Sequence, residues 1–176
     1  MKNFIWAGAA AFLLATPVYA QSVPEKTGVN STLGISPSTQ DFVTEAADSD
    51  MLEIESSRLA LAKGDDKSKL FANRMITDHT QTSTELKGLV TGGKVKANLR
   101  TMMDKSHQSK LDNLKSLDGA EFTKEYDSLQ LAAHKDAVSL FERYAKGGEN
   151  ADLKAFAAKT LPHLREHLKM AEALQK

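Results

Sequence analysis

The sequence contains no cysteine. That excludes a disulfide framework, a thiol nucleophile and a thiolate metal site, and it leaves stability to packing. Proline is nearly missing from the larger part of the chain: from Asp41 onward the only one is Pro162. Sustained apolar–polar alternation, the mark of half-buried strands, is missing there too. Neither sign of charge is in excess, with 23 basic residues against 23 acidic ones. Such a balance gives no electrostatic case for nucleic acid or an anionic membrane surface as partner. No G-x-S-x-G, Gly-rich phosphate loop or H-E-x-x-H occurs, so the chemistries those motifs carry have no foothold. The methionines Met75, Met102, Met103 and Met170 are scattered, which fits core filling rather than a methionine copper site.

The one continuous apolar run stands at the start, "MKNFIWAGAAAFLLATPVYAQS". Lys2 supplies a positive n-region, Phe4 to Ala15 an apolar stretch, and Pro17 breaks it before Val18-Tyr19-Ala20, an A-x-A-like cleavage site. The pattern predicts a signal peptide over 1–20, cleaved after Ala20, and a periplasmic protein. The run is short for a span, and no cysteine follows it to carry a lipid. Loss of Lys2 with the leader leaves 22 basic residues against 23 acidic ones. The mature chain is expected to contain no integral membrane segment, and its composition names no protein partner.

Residues 21–39 are rich in Ser, Thr, Pro and Gly and read as a flexible linker. The remainder, 40–175, reads as one all-α domain of five helices. The first, over 40–63, carries Phe42, Ala46, Ser49, Glu53, Ser57 and Ala60 on one stripe; Ser38 and Asp41 have capping-box spacing, and Gly64 is a stop. The second, 66–90, aligns Phe71, Met75, His79, Thr82, Leu86 and Leu89. A third is expected over 95–116, anchored by Leu99, Met102, Met103, Leu111 and Leu114, with His107 on its exposed part. The fourth, 120–146, is capped by Asp118 and carries Phe122, Tyr126, Leu129, Ala133, Ala137, Phe141 and Tyr144. The fifth, 150–174, carries Leu153, Phe156, Thr160, Leu164, His167, Ala171 and Leu174, and Pro162 predicts a kink near Thr160. "LALAKGDDKSKLFANRM" weakly echoes "RYAKGGENADLKAFAAKTL", so helices one and two resemble four and five. Two hairpins joined by a crossing segment make a four-helix bundle with one additional helix.

Polar residues on these stripes are the candidate site. An ionised Glu53 among small residues must be paired, because desolvating a lone charge is costly. Histidine is a suitable interior partner, since neutral imidazole donates and accepts. Across the Gly64 turn, Glu53 and His79 fall within roughly 6 Å in height at 1.5 Å per residue. His134 and His167 are related in the same way across Gly147-Gly148. Glu53, His79, His134 and His167 are therefore expected to converge in one layer inside the bundle. Imidazole and carboxylate suit a divalent transition metal, and a hydrogen-bonded core network is the alternative. His163, one turn before His167, is a competing member of the layer.

The segments "FVTEAADSDMLEIESSRLALAK", "LFANRMITDHTQTSTEL", "FTKEYDSLQLAAHKDAVSLFE" and "LKAFAAKTLPHLREH" resemble the bacterial domain-of-unknown-function family 4142 (DUF4142). The resemblance covers about 40–175; its most specific pieces are Asp78-His79, His134 after Tyr126, and Leu161-Pro162 before His167. It implies an exported protein with a ferritin-like bundle and no settled biochemical role. Di-iron bundles need Glu-x-x-His on two helices, but Ile76 and Leu164 stand at the required places; Glu53 matches one lone carboxylate and Asp127 is a poor match for the other. Ferroxidase chemistry is therefore not expected. The reading favoured by these residues is an exported, non-enzymatic bundle binding a metal ion, with roles in envelope stress or metal handling suggested by compartment and histidines. A metal-dependent enzyme using the same layer, or a periplasmic partner-binding module, are the competing readings.

Overall fold

The computed structural model describes residues 22–26 and 28–176. The leader and its cleavage site lie outside the described residues. Among these residues there are seven helical segments and no strand: α1 (Val23–Lys26), α2 (Val29–Thr32), α3 (Thr39–Lys63), α4 (Asp66–Thr91), α5 (Lys105–Lys115), α6 (Gly119–Gly147) and α7 (Ala151–Leu174). None is long and apolar enough to cross a membrane.

Four of the helices begin on a side chain that accepts a backbone N–H, as helix starts require. Ser38 takes the N–H of Asp41, Asp65 that of Ser68, Asp104 that of His107 and Asn150 that of Leu153. Asp118 does not cap α6 in this way; it pairs instead with Lys63 at 3.0 Å. The turns after α3 and α6 share a conformation. Gly64 (φ −73°, ψ 165°) donates to Ala60 O, and Gly148 (φ −61°, ψ 143°) donates to Tyr144 O. Neither glycine is left-handed. Their role is space: a Cβ on Gly64 would stand 2.7 Å from Ala60 O, and one on Gly148 would run into the Tyr144 ring. The shared geometry is a local match for the echo between the two hairpins.

These short connections make α3–α4 and α6–α7 antiparallel pairs. α3 also packs on α6, and α4 on α7, closing a four-helix bundle, with α5 laid over α3 and α6. The third predicted helix forms only in its second half. Before it, residues 95–104 cross between the hairpins without helical hydrogen bonds. Side chains at the starts of other helices tie this stretch down: Gln40 both accepts from Asn98 N and donates to Asn98 O, and Asn150 donates to the Lys94 carbonyl just before it. Val95 anchors the crossing in the core, whereas Met102, expected as an anchor, is 77% exposed.

α7 runs through Pro162 without interruption at Thr160, where the proline predicts a kink. The reason is location. Pro162 and Ala158, whose carbonyl the missing N–H would have bonded, are both on the exposed face, where water can serve that carbonyl. The lead-in makes two short turns and is attached by polar contacts. Ser22 bonds Asp41, and Glu25 forms a paired contact with buried Arg143, at 2.5 and 3.1 Å.

Two apolar clusters fill the bundle. One contains Phe42, Leu86, Phe141, Tyr144, Leu153 and Phe156; the other contains Leu52, Phe71, Met75, Leu114, Phe122 and Tyr126. On α4, α6 and α7 a single histidine separates the two: His79 between Met75 and Leu86, His134 between Leu129 and Ala137, His167 between Leu164 and Ala171.

Candidate functional site

His79, His134 and His167 are each at most 2% exposed. Their ring centroids form a near-equilateral triangle, 5.6 Å for His79–His134 and 5.5 Å for the other two pairs. Each offers one ring nitrogen lying within 4.8 Å of the others'.

One nitrogen of every ring is held by the protein. His79 Nδ1 meets Asp50 Oδ1 at 2.7 Å, and Ser83 Oγ donates to the other oxygen of Asp50 at 2.9 Å. His134 Nδ1 meets the Gln130 carbonyl at 2.8 Å, one turn back on α6. His167 Nε2 meets Asp78 Oδ2 at 2.8 Å, and Arg74 steadies Asp78. A carbonyl can only accept, so Nδ1 of His134 carries the proton. The same assignment on His79 and His167 lets each face its carboxylate with an N–H. The remaining nitrogens, Nε2 of His79, Nε2 of His134 and Nδ1 of His167, are buried and have no hydrogen-bond partner.

Glu53 is 1% exposed and adjoins this group, its Oε1 3.9 Å from His134 Nδ1. It does not belong to the set of mutually close ligand atoms, and neither of its oxygens is hydrogen-bonded. The small residues that surround it are used: Ser57 bonds the Tyr126 hydroxyl at 3.0 Å, and Ser56 accepts from Gln130 Nε2 at 3.1 Å. Asp127, the weak second-carboxylate candidate, accepts from Ser68 instead. His163 is exposed, which leaves His167 as the α7 member.

Burial sets the protonation of this layer. It pushes the Glu53 carboxyl up to about 7, against the pull of His79. Burial, with the nearby His79, lowers His134 to about 3. His167 is also lowered by burial, Asp78 opposing. Burial alone would lower His79 as well, but its bond to Asp50 and the charges of Asp50 and Glu53 carry it upward. His134 and His167 are thus held as neutral imidazoles, the form that binds metals.

A cavity of about 120 Å³ between α4 and α7 is lined by Arg74, Asp78, His79, Lys159, His163 and His167. It puts two of the three rings within reach of the surface.

A family model described as a domain of unknown function, DUF4142, matches residues 24–174. The chain belongs to the DUF4142 family. The matched region begins within α1, so in this DUF4142 protein the Glu25–Arg143 attachment falls inside the family domain. No curated protein matches the chain, and no solved structure does.

Sequence reasoning missed the two carboxylates that hold His79 and His167. Asp78 was visible only as the neighbour of His79. Asp50 carried one signal, a carboxylate three residues before Glu53 and so on a nearby part of the same face. Gln130 carried one as well: Tyr126, Gln130 and His134 share one helix face at one-turn spacing, which suggests hydrogen bonding that orients His134, and the structure shows it made by the Gln130 backbone carbonyl.

Proposed function

We propose that this DUF4142 protein is an exported, non-enzymatic helical bundle that binds one divalent transition-metal ion through His79, His134 and His167. The observation that carries the reading is the pattern of unpaired nitrogens. Three buried nitrogens on three helices lack a partner, while the opposite nitrogen of each ring is fixed. A hydrogen-bonded core network would have paired them. Left alone, each costs about 1–3 kcal/mol, and one ion satisfies all three. Metal-bound histidines commonly donate their other nitrogen to a carboxylate or carbonyl, which is the role of Asp50, Gln130 and Asp78 here.

Zinc is bound by imidazole at about 2.0–2.1 Å, which sets ligand nitrogens roughly 3.3 Å apart. Ring nitrogens within 4.8 Å of one another need only small side-chain rotations to close on it. Glu53, Asp50 and Asp78 surround the rings with carboxylates that balance a divalent charge. We keep Glu53 in the site as that counter-charge and as a fourth donor should its side chain rotate. The adjoining 120 Å³ cavity admits an ion with a few waters. It falls short of the roughly 300–1,000 Å³ of small-molecule pockets, which favours holding a metal over turning over a substrate. The single long crossover between hairpins is the feature that supports a ferritin-like reading of the bundle. Export rests on the N-terminal leader, and a periplasmic role in metal handling rests on export and site together.

The test is elemental analysis and zinc titration of the mature chain beside His79→Gln, His134→Gln and His167→Gln. One zinc per chain, raising the melting temperature and lost in each variant, is expected. Wild-type protein that neither retains nor responds to zinc or the other first-row ions would overturn the reading.

A further inference from the structure

Outside the histidine triangle, a second group of ligand-type side chains meets where α3 passes the start of α5. Asp48, Asp104 and His107 each bring a ligand atom within 4.8 Å of the other two. Asp48 is 0% exposed, and neither of its oxygens has a hydrogen-bond partner. Its nearest cation is the Arg100 guanidinium, 3.4 Å away and itself on the irregular crossing segment. A fully buried carboxylate without a hydrogen bond is costly unless a cation compensates it.

The other two members are positioned independently of any ion. Asp104 caps α5, and its Oδ1 accepts from both the backbone N–H (2.8 Å) and ring Nδ1 (3.0 Å) of His107. Both contacts fall on Oδ1, so Oδ2 is the oxygen Asp104 would turn to a cation. With Nδ1 engaged, Nε2 of His107 is the nitrogen left for one. His107 was expected on an exposed face; it is instead half-buried.

Glu45, one turn before Asp48, lines a cavity of about 290 Å³ together with Asp104 and His107. Glu45, Asp48 and Asp104 gather around the Arg100 guanidinium, while Glu25, Asp136, Lys110 and Arg143 line other parts of the same cavity. The crowding of carboxylates is felt at Glu45, whose carboxyl is pushed up to about 7 by burial and then by Asp48, Asp104 and Glu25.

We propose that Asp48, Asp104 and His107 form a second cation site, separate from the histidine triangle, which takes a divalent ion of the manganese class. Two carboxylates and one imidazole are a mixed oxygen-rich donor set, which suits Mn²⁺ better than a site of three imidazoles does. Glu45 stands at the cavity side as a further oxygen donor. Arg100 competes: its charge occupies the place where the ion's charge would act, and ion binding displaces it towards solvent.

That competition gives the test its sign. Mn²⁺ is titrated into the mature full-length chain and followed by electron paramagnetic resonance and calorimetry, with circular dichroism as the folding control. Wild type is expected to take up one Mn²⁺ that His79→Gln retains. Asp48→Asn and, as a milder second variant, His107→Gln should each weaken it at least tenfold. Arg100→Gln should tighten it severalfold, an effect that a merely structural Asp48–Arg100 pair cannot produce. No Mn²⁺ uptake by wild type and Arg100→Gln would overturn the proposal. So would uptake lost in His79→Gln but kept in His107→Gln, which would place the ion in the triangle. Zinc binding by the triangle is scored separately, so either site can fail without the other.

Discussion

His79 Nδ1 and Asp50 Oδ1 lie 2.7 Å apart, one on α4 and one on α3, with side chains 3% and 5% exposed. The pair joins two helices and orients a ring at once. It directs the Nδ1 N–H of His79 to the carboxylate and leaves Nε2 buried without a hydrogen-bond partner.

Asp50→Asn tests that orientation. The amide oxygen can still accept from His79, and the amide nitrogen can donate to Ser83 Oγ, so the fold should persist. What is lost is the negative charge that makes the imidazole a better donor. Zinc affinity should fall by about 10–100-fold, as for other groups that support metal ligands. Competition titration against a chelating dye measures this. Unchanged affinity would mean that Asp50 serves only the helix contact.

Glu53 gives the metal-free protein a pH dependence of defined sign. Its carboxyl is raised from 4.5 to about 7 in the folded state by burial. Below pH 4.5 it is protonated whether folded or unfolded and costs nothing by this route. Between 4.5 and 7 the unfolded chain ionises first, so this contribution to stability falls as pH rises, and above 7 it is flat. At about 1.4 kcal/mol for each pH unit between those two values, the loss comes to roughly 3 kcal/mol. Glu53→Gln removes the group. In chelator, it should match wild type near pH 4 and exceed it near pH 8, measured by urea unfolding at both values. Parallel pH profiles would show that Glu53 finds a partner in solution.

The contact of Glu25 with Arg143 fixes the lead-in to α6. Breaking one side of a buried pair typically costs about 3–5 kcal/mol. Here the cost should be smaller, because α1 can leave and let water reach Arg143, which also donates to Ile35 O at 2.7 Å. Glu25→Ala should therefore expose residues 22–35 to rapid hydrogen exchange and proteolysis while the bundle loses about 1–2 kcal/mol. Global unfolding of the bundle at the same denaturant as the lead-in would contradict this.

The long helices were legible because their apolar residues recur every three to four positions and glycines stand at their ends. The predicted bounds of α3, α4, α6 and α7 fall within a residue or two of those observed. The stretch 95–104 is not helical although its pattern suits a helix. What decides it lies elsewhere in the chain: Gln40 bonds its backbone at Asn98, Asn150 bonds the Lys94 carbonyl just before it, and no local signal in 95–104 announces them. The burial of His79, His134 and His167 followed from helical phase. Glu53 followed too, but phase gives the face of a helix and not the rotamer, so its standing to one side of the three nitrogens was not readable. Asp48 was not legible for a related reason: only the irregular path of the crossing segment brings Arg100 and Asp104 to it.

The three histidines sit on α4, α6 and α7, so they draw on both hairpins. An ion gripped by all three would be a cross-link in a chain that has no cysteine to make one. It would close two loops of several tens of residues, restricting the unfolded chain much as a pair of disulfides does. Unlike disulfides, this tie would come and go with the free metal around it. The strength with which the two hairpins hold together would then be set by the protein's surroundings as well as by its sequence.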